Sequence, residues 1–149
     1  MNTPQNLFEV LHDHALWIGS DGKTGVKADL QNTDLEELDL RGKDLRKINL
    51  RNANLTNANL ADAHLEMAEL QGANLAHAKI ENADLSYADL SNVTGLISKQ
   101  LGGCNLSGTK LPAAINIENP SSEFADLSHS TKTVFITMVL SVLMMSGSI

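Results

Sequence analysis

The chain has 149 residues, a net charge of -7 and only 3% aromatic residues, which suits one domain with an appendage and argues against a core built on large rings. Its acidic balance, with an isoelectric point near 5.1, argues against general attraction to nucleic-acid phosphates and favours solubility. The single cysteine, Cys104, excludes an internal disulfide and fits a reducing cytosol, and "MNTPQNLFEV" lacks the basic start and apolar run of a secretory signal, so a cytoplasmic location is expected.

Residues 1–27 read as an N-terminal helix and turn. In "TPQNLFEVLHDHALWIGSDG", Thr3 suits an N-cap, Pro4 suits the first turn and Gly19 suits the end. Leu7, Leu11, Ala15 and Ile18 fall on one face, which would seat on whatever follows; the other reading is a docking helix that displays Phe8 and Trp17. The next stretch, "GSDGKTG", contains Gly22-Lys23-Thr24 but has Trp17 where a phosphate-binding loop needs glycine. It reads as a turn.

From residue 28 to residue 111 a period of five dominates. Leucine or isoleucine stands at every fifth position from Leu30 to Leu90, and the series resumes one residue late at Leu96, Leu101, Leu106 and Leu111, which makes 17 centres. Two places before each centre stands alanine, without exception from Ala53 to Ala88, and Asp or Asn usually lies between the two. A helix turns about 500° in five residues, which would scatter these leucines around its whole circumference, and a strand repeats at two. Neither element accounts for the spacing.

If each five-residue unit forms one side of a square, the leucine and its alanine both point inward and residues 20 apart stack. The predicted core then comprises Leu50, Ala53, Leu55, Ala58, Leu60, Ala63, Leu65, Ala68, Leu70, Ala73, Leu75, Ala78, Ile80, Ala83, Leu85, Ala88 and Leu90. About four coils at a strand spacing of about 4.8 Å give a rod about 20 Å tall. "ANLTNANLADAHL" and "ENADLSYADL" resemble the A(D/N)LXX signature of pentapeptide-repeat proteins. That resemblance implies an all-β solenoid, a right-handed quadrilateral β-helix with 20 residues per coil.

The pattern is irregular in places. The alanine positions of the first coil hold Thr33, Leu38, Lys43 and Ile48; a buried lysine is costly, so that corner must distort or let Lys43 reach water. The slip at Val93–Leu96 suggests that Gly95 serves a bulge or tight corner, and Cys104 falls on a small inward position.

Residues 112–132 read as a linker with a short helix starting near Ser121 or Ser122. Residues 133–149, "TVFITMVLSVLMMSGSI", carry no charge, and 17 residues stand at the lower limit for crossing a membrane. Membrane association, a cap on the last coil and a homodimer helix all fit this segment, and the order of parts is similar to bacterial pentapeptide-repeat proteins with a C-terminal membrane domain.

No chemistry is legible. His12 and His14 lie on different helix faces, His64 and His77 on different sides of the square, and no zinc spacing emerges among the five histidines. The carboxylates follow the outward repeat position, and Cys104 has no base beside it, so no catalytic, cofactor or metal residues are assigned. On the surface, Asn32, Asn52, Gly72 and Asn92 share one column, and Asp29, Asn49, Glu69 and Asp89 another. Arg41, Arg46, Lys47 and Arg51, with Lys43, form a basic belt that is either a solvated counterweight to stacked acids or a contact for an acidic partner or anionic lipid.

The expected function is a non-enzymatic interaction scaffold for a protein partner, held at the cytoplasmic membrane face by Thr133–Ile149, with no direct nucleic-acid contact. The alternative, implied by the resemblance, is a DNA-mimicking modulator of DNA gyrase of the quinolone-resistance type. The short rod and the basic belt count against it.

Overall fold

The computed structural model describes residues 6–113 and 115. Helix α1 spans Leu7–Gly19, and a four-sided spiral follows it to the end of the repeats. Thr3, Pro4, the expected helix near Ser121 and the apolar stretch 133–149 lie outside the described residues.

The spiral is built of parallel bridges between residues 20 apart. Its first face stacks Asp29, Asn49, Glu69 and Asp89; its second stacks Asp34, Asn54, Asn74 and Thr94. The third stacks Asp39, Asn59 and Lys79, and the fourth Asp44, His64 and Asp84. Each bridging residue makes both of its backbone bonds to the preceding rung, and its neighbours bond to the next: the Asn54 N–H donates to the Thr33 carbonyl at 2.9 Å and its carbonyl accepts the Leu35 N–H at 2.8 Å, while the Leu55 N–H donates to the Asn74 carbonyl at 2.9 Å. Pairing with rungs above and below satisfies the backbone of a narrow coil.

The five-residue unit turns a corner for two local reasons. The Ala53 N–H closes back on the Leu50 carbonyl at 3.1 Å, with Asn52 in the left-handed region at φ 55°. The Asp or Asn before each leucine also accepts the N–H two residues on, as Asn49 does from Arg51 at 3.2 Å and Asp89 from Ser91 at 3.0 Å. This Asx turn explains the polar residue between alanine and leucine. The alternation then drives the leucines and alanines inward, and every predicted core residue from Leu50 to Leu90 is buried. Each leucine so buried contributes about 1.5–3 kcal/mol of transfer free energy, and alanine alternates with it because the bore is narrow and close-packed.

The irregular positions resolve individually. Ile48 is buried, Thr33 and Leu38 are half-buried, and Lys43 is exposed. The backbone of Lys43 keeps the regular bonds, from its N–H to Leu40 at 3.2 Å and from the His64 N–H to its carbonyl at 3.0 Å. The corner is undistorted, and the side chain reaches water. Gly95 has φ +70°, and a Cβ there would stand 2.6 Å from the Ala76 backbone. The chain inserts one residue at this corner, and a 3-10 turn at Ser98–Leu101 replaces the next rung of the third face. The Gln100 Nε2 donates to the Leu75 and Ala78 carbonyls at 2.9 and 2.7 Å, while its Oε1 accepts the Ile97 N–H at 2.8 Å. One side chain thus replaces a missing strand. The stack resumes with an offset of 21, as Asp84 pairs with Asn105 and Asp89 with Lys110.

Helix α1 packs on the first coil, with a face one step away from the expected one. Leu7, Val10 and Leu11 meet the core and His14 is fully buried, whereas Ala15 is exposed. The His14 Nδ1 accepts the Ala28 N–H at 3.1 Å, and its Nε2 lies 3.1 Å from the Arg46 carbonyl. The bonded atoms define the neutral tautomer with its proton on Nε2, and burial lowers the pKa against the opposing pull of the Arg46 carbonyl and Asp44. Trp17 is half-buried and stacks on His14, so of the two aromatics assigned to a docking helix only Phe8 is displayed. Gly19 is the last helical residue, and Ser20 at the C-cap keeps a negative φ of -103°, without the left-handed cap expected of a glycine end.

Candidate interaction surface

The spiral spreads the basic residues of the first coil over several sides. Arg41 Nε meets Asp62 at 3.2 Å, Arg46 Nη2 meets Asp44 at 2.6 Å, and Arg51 Nη2 meets Glu69 at 2.8 Å. Arg51 also donates to Gln71 at 3.2 Å, and Lys27 reaches Glu69 at 3.1 Å. These exposed pairs contribute little stability. They do set the surface charge: three of the four arginine and lysine candidates stand beside a carboxylate one rung away or on the same rung. The guanidinium of Arg46 hydrogen-bonds Asp44 and holds that carboxyl below its ordinary range.

Lys47 stands apart from the arginines. It occupies the corner between the fourth and first faces, directly below Met67 and Tyr87. That corner is the most unusual on the rod. Each unit places its second residue after leucine in the left-handed region, where Asn, Asp and Gly are tolerated best. Asn32, Gly42, Asn52, Asn57, Asp62, Gly72, Asn82 and Asn92 follow the rule. Glu37 and His77 depart from it on another corner, on either side of Asn57, whereas Lys47, Met67 and Tyr87 break it on three successive rungs, with φ of 62°, 60° and 58°. A non-glycine residue held there costs on the order of 1 kcal/mol. Met67 is 52% exposed and Tyr87 66%, so the fold gains little from burying them. Gly108 completes the column, and a Cβ on it would come 2.6 Å from Tyr87 Cδ1. The tyrosine ring therefore lies over a rung kept bare for it.

Two grooves flank the rod. One, of about 420 Å³, lies between α1 and the first coil, where Phe8, Leu11, Leu38 and Lys43 line it. Phe8 is 80% exposed at its rim and stacks on His12. The other, also about 420 Å³, opens where the 3-10 turn interrupts the third face, beside His77, Lys79, Lys99 and Gln100. The asparagine column bonds along the rod as its spacing suggests, with Asn52 Nδ2 on Asn32 Oδ1 at 3.3 Å. Cys104 is buried and donates to the Ile80 carbonyl at 2.9 Å; burial pushes its thiol up to about 12, far from a nucleophilic thiolate. Among the described residues no group of His, Cys, Asp and Glu is placed to hold a metal.

A square stack of five-residue rungs with leucine at every centre defines a repeat solenoid whose outward side chains are its variable part. Residues 28–66 and 58–94 match the family model for pentapeptide repeats, in eight copies, and the chain is a member of that family. Membership implies a right-handed quadrilateral β-helix, in keeping with the four-faced stack. The structure is similar to that of alr5209, a pentapeptide repeat protein of Nostoc PCC 7120: identity is 27%, coverage is 80% of this chain and 88% of that one, and the TM-score is 0.53. Rfr23, a pentapeptide repeat protein of the cyanobacterium Cyanothece 51142, is 33% identical over 60% of this chain and 64% of its own, with a TM-score of 0.29. QnrB1, a plasmid-mediated fluoroquinolone resistance protein, is 22% identical in a trypsin-treated form, over 62% of this chain and 41% of its own, with a TM-score of 0.47. No curated protein matches the chain.

Proposed function

We propose that the protein is a non-enzymatic interaction scaffold, a rod that presents patterned outer walls to a protein partner. The observation that carries this reading is the division of the rod: aliphatic side chains fill the inward positions, and all the side-chain variety lies outside. The cysteine is inert and buried, and the outward carboxylates serve turns and ion pairs. Arg41, Arg46, Lys47 and Arg51 form the candidate contact for an acidic partner, with Lys47 the most available because no carboxylate lies within ion-pair distance of it among the described residues.

The second part of the reading is location. Residues 133–149 carry no charge, and we assign to them association with the cytoplasmic face of a membrane. No helix among the described residues is long and apolar enough to cross a membrane, so this assignment rests on that stretch alone. Fractionation of the full chain against a version ending at Thr131 tests it. The full chain is expected to sediment with membranes and the shortened one to stay in the supernatant; equal partitioning removes the anchor.

A DNA-shaped modulator of gyrase requires a continuous acidic column. On the first face Glu69 is paired with Lys27 and Arg51, and Asp89 with Lys110, so the charge of that column is interrupted. This interruption counts against the gyrase alternative and favours the scaffold reading.

A further inference from the structure

The corner that carries Lys47, Met67 and Tyr87 is self-complementary, and we propose that it is a contact for a second copy of this chain, paired antiparallel. Three observations lead there. The side chains on this edge stand on backbone that disfavours them, at φ of 62°, 60° and 58°, whereas most other corners use Asn, Asp or Gly. Met67 and the Tyr87 ring are more than half exposed, and apart from the ring's contact over Gly108 they gain little in a lone rod. An edge that holds three such residues in succession points to recognition.

Charge then selects the occupant. Lys47 stands at the lower end of the edge beside the Arg46–Asp44 ion pair, and Tyr87 and Asp84 at the upper end, each one rung from Met67. Asp84 is held ionised: burial opposes this, but hydrogen bonds from Ser86 and Asn105 outweigh it. A two-fold axis at the level of Met67, perpendicular to the rod, sets Met67 on Met67 and Lys47 on Tyr87 of the second copy. It lays fourth face on fourth face, so Lys47 approaches Asp84 of the second copy and its ammonium meets the tyrosine ring, while Arg46 stays with its own Asp44. Parallel pairing would instead repeat Lys47 on Lys47. One edge of a short rod buries less than the roughly 800 Å² per partner of a standard interface, so the association is weak.

Sedimentation equilibrium of the full chain from micromolar to millimolar concentration tests the pairing. The expected result is a monomer–dimer equilibrium. Lys47→Glu and Tyr87→Lys should each weaken it about tenfold, and the double variant Lys47→Glu/Tyr87→Lys should restore it. Met67→Asn and Tyr87→Asn should also weaken association while their melting temperatures hold or rise, which separates lost contact from lost fold. A chain that stays monomeric throughout overturns the proposal, and so does association unchanged by these substitutions. Weakened single variants without rescue in the double variant overturn the antiparallel arrangement.

Discussion

The His14 Nε2 and the Arg46 carbonyl, 3.1 Å apart, join the N-terminal helix to a rung 32 residues further along the chain. The other ring nitrogen takes the Ala28 N–H, so one imidazole bridges α1 to both edges of the first coil.

That bridge makes the seating of the helix sensitive to acid. Protonated His14 would turn Nδ1, which now accepts the Ala28 N–H, into a second donor facing that donor. Because the folded pKa lies below the ordinary 6.5, the native state binds fewer protons than the unfolded chain; stability is full above about 6.5 and is lost as pH falls below it. The groups facing the ring are Asp44, Lys27 and Arg46. Thermal unfolding of the native chain should show a falling melting temperature between pH 7 and pH 5, and His14→Gln should flatten that slope while costing about 1–3 kcal/mol at neutral pH. Parallel slopes would remove His14 from the account.

Ala73 sits in the bore with no exposed surface. Ala73→Leu overpacks it and should cost about 1–3 kcal/mol in urea unfolding. Ala61→Leu, on an outward position, should stay within about 0.5 kcal/mol. Equal effects at the two sites would contradict the inward assignment.

The interruption of the third face depends on two residues. Gly95→Ala places a Cβ 2.6 Å from the Ala76 backbone at φ +70° and should destabilise by about 2–4 kcal/mol. Gln100→Leu takes the donor from the Ala78 carbonyl and leaves the Leu75 carbonyl with the Ala78 N–H alone, and should cost about 1–3 kcal/mol. A melting temperature unchanged by both would mean that the 3-10 turn is not a structural splice.

Asp89 reports the far end of the stack. Burial raises its pKa, yet hydrogen bonds from Ser91 and the Lys110 ammonium outweigh this and hold it at about 2. Its contribution to stability is present above pH 3.8 and is lost as pH falls through 2. A carboxyl NMR titration should place Asp89 well below the ordinary range in the native chain and closer to it in Lys110→Met. No difference would mean that the rung carrying Lys110 does not reach the first face.

Much of the rod was legible because one physical rule repeats. The leucine and alanine periods name the bore, and the 20-residue stack follows from four sides. The slip after Val93 marks Gly95. What escaped has local causes. The helix face was read through Ala15, although His14 lies seven residues after Leu7 and four after Val10, which is itself a core spacing. The spacing of His14 bears on metal ligation and not on a bridge, and the docking-helix alternative displays Trp17 because nothing in the sequence marks His14 as its stacking partner. The corner of Lys47, Met67 and Tyr87 was not read as a column, although a lysine, a methionine and a tyrosine 20 apart at turn positions are visible in the sequence. Nothing in the sequence shows that Gln100 replaces a strand, because that requires knowing which rung is absent.

The most direct measurement is the pattern of interstrand NMR contacts and slow amide exchange in the native chain. Cross-peaks are expected between residues 20 apart, such as Asn54 with Asn74 and His64 with Asp84, and between residues 21 apart beyond the splice, at Asp84 with Asn105 and Asp89 with Lys110. A continuous run of four-residue contacts along residues 28–94, or a ladder with any other offset, would contradict the stacked square.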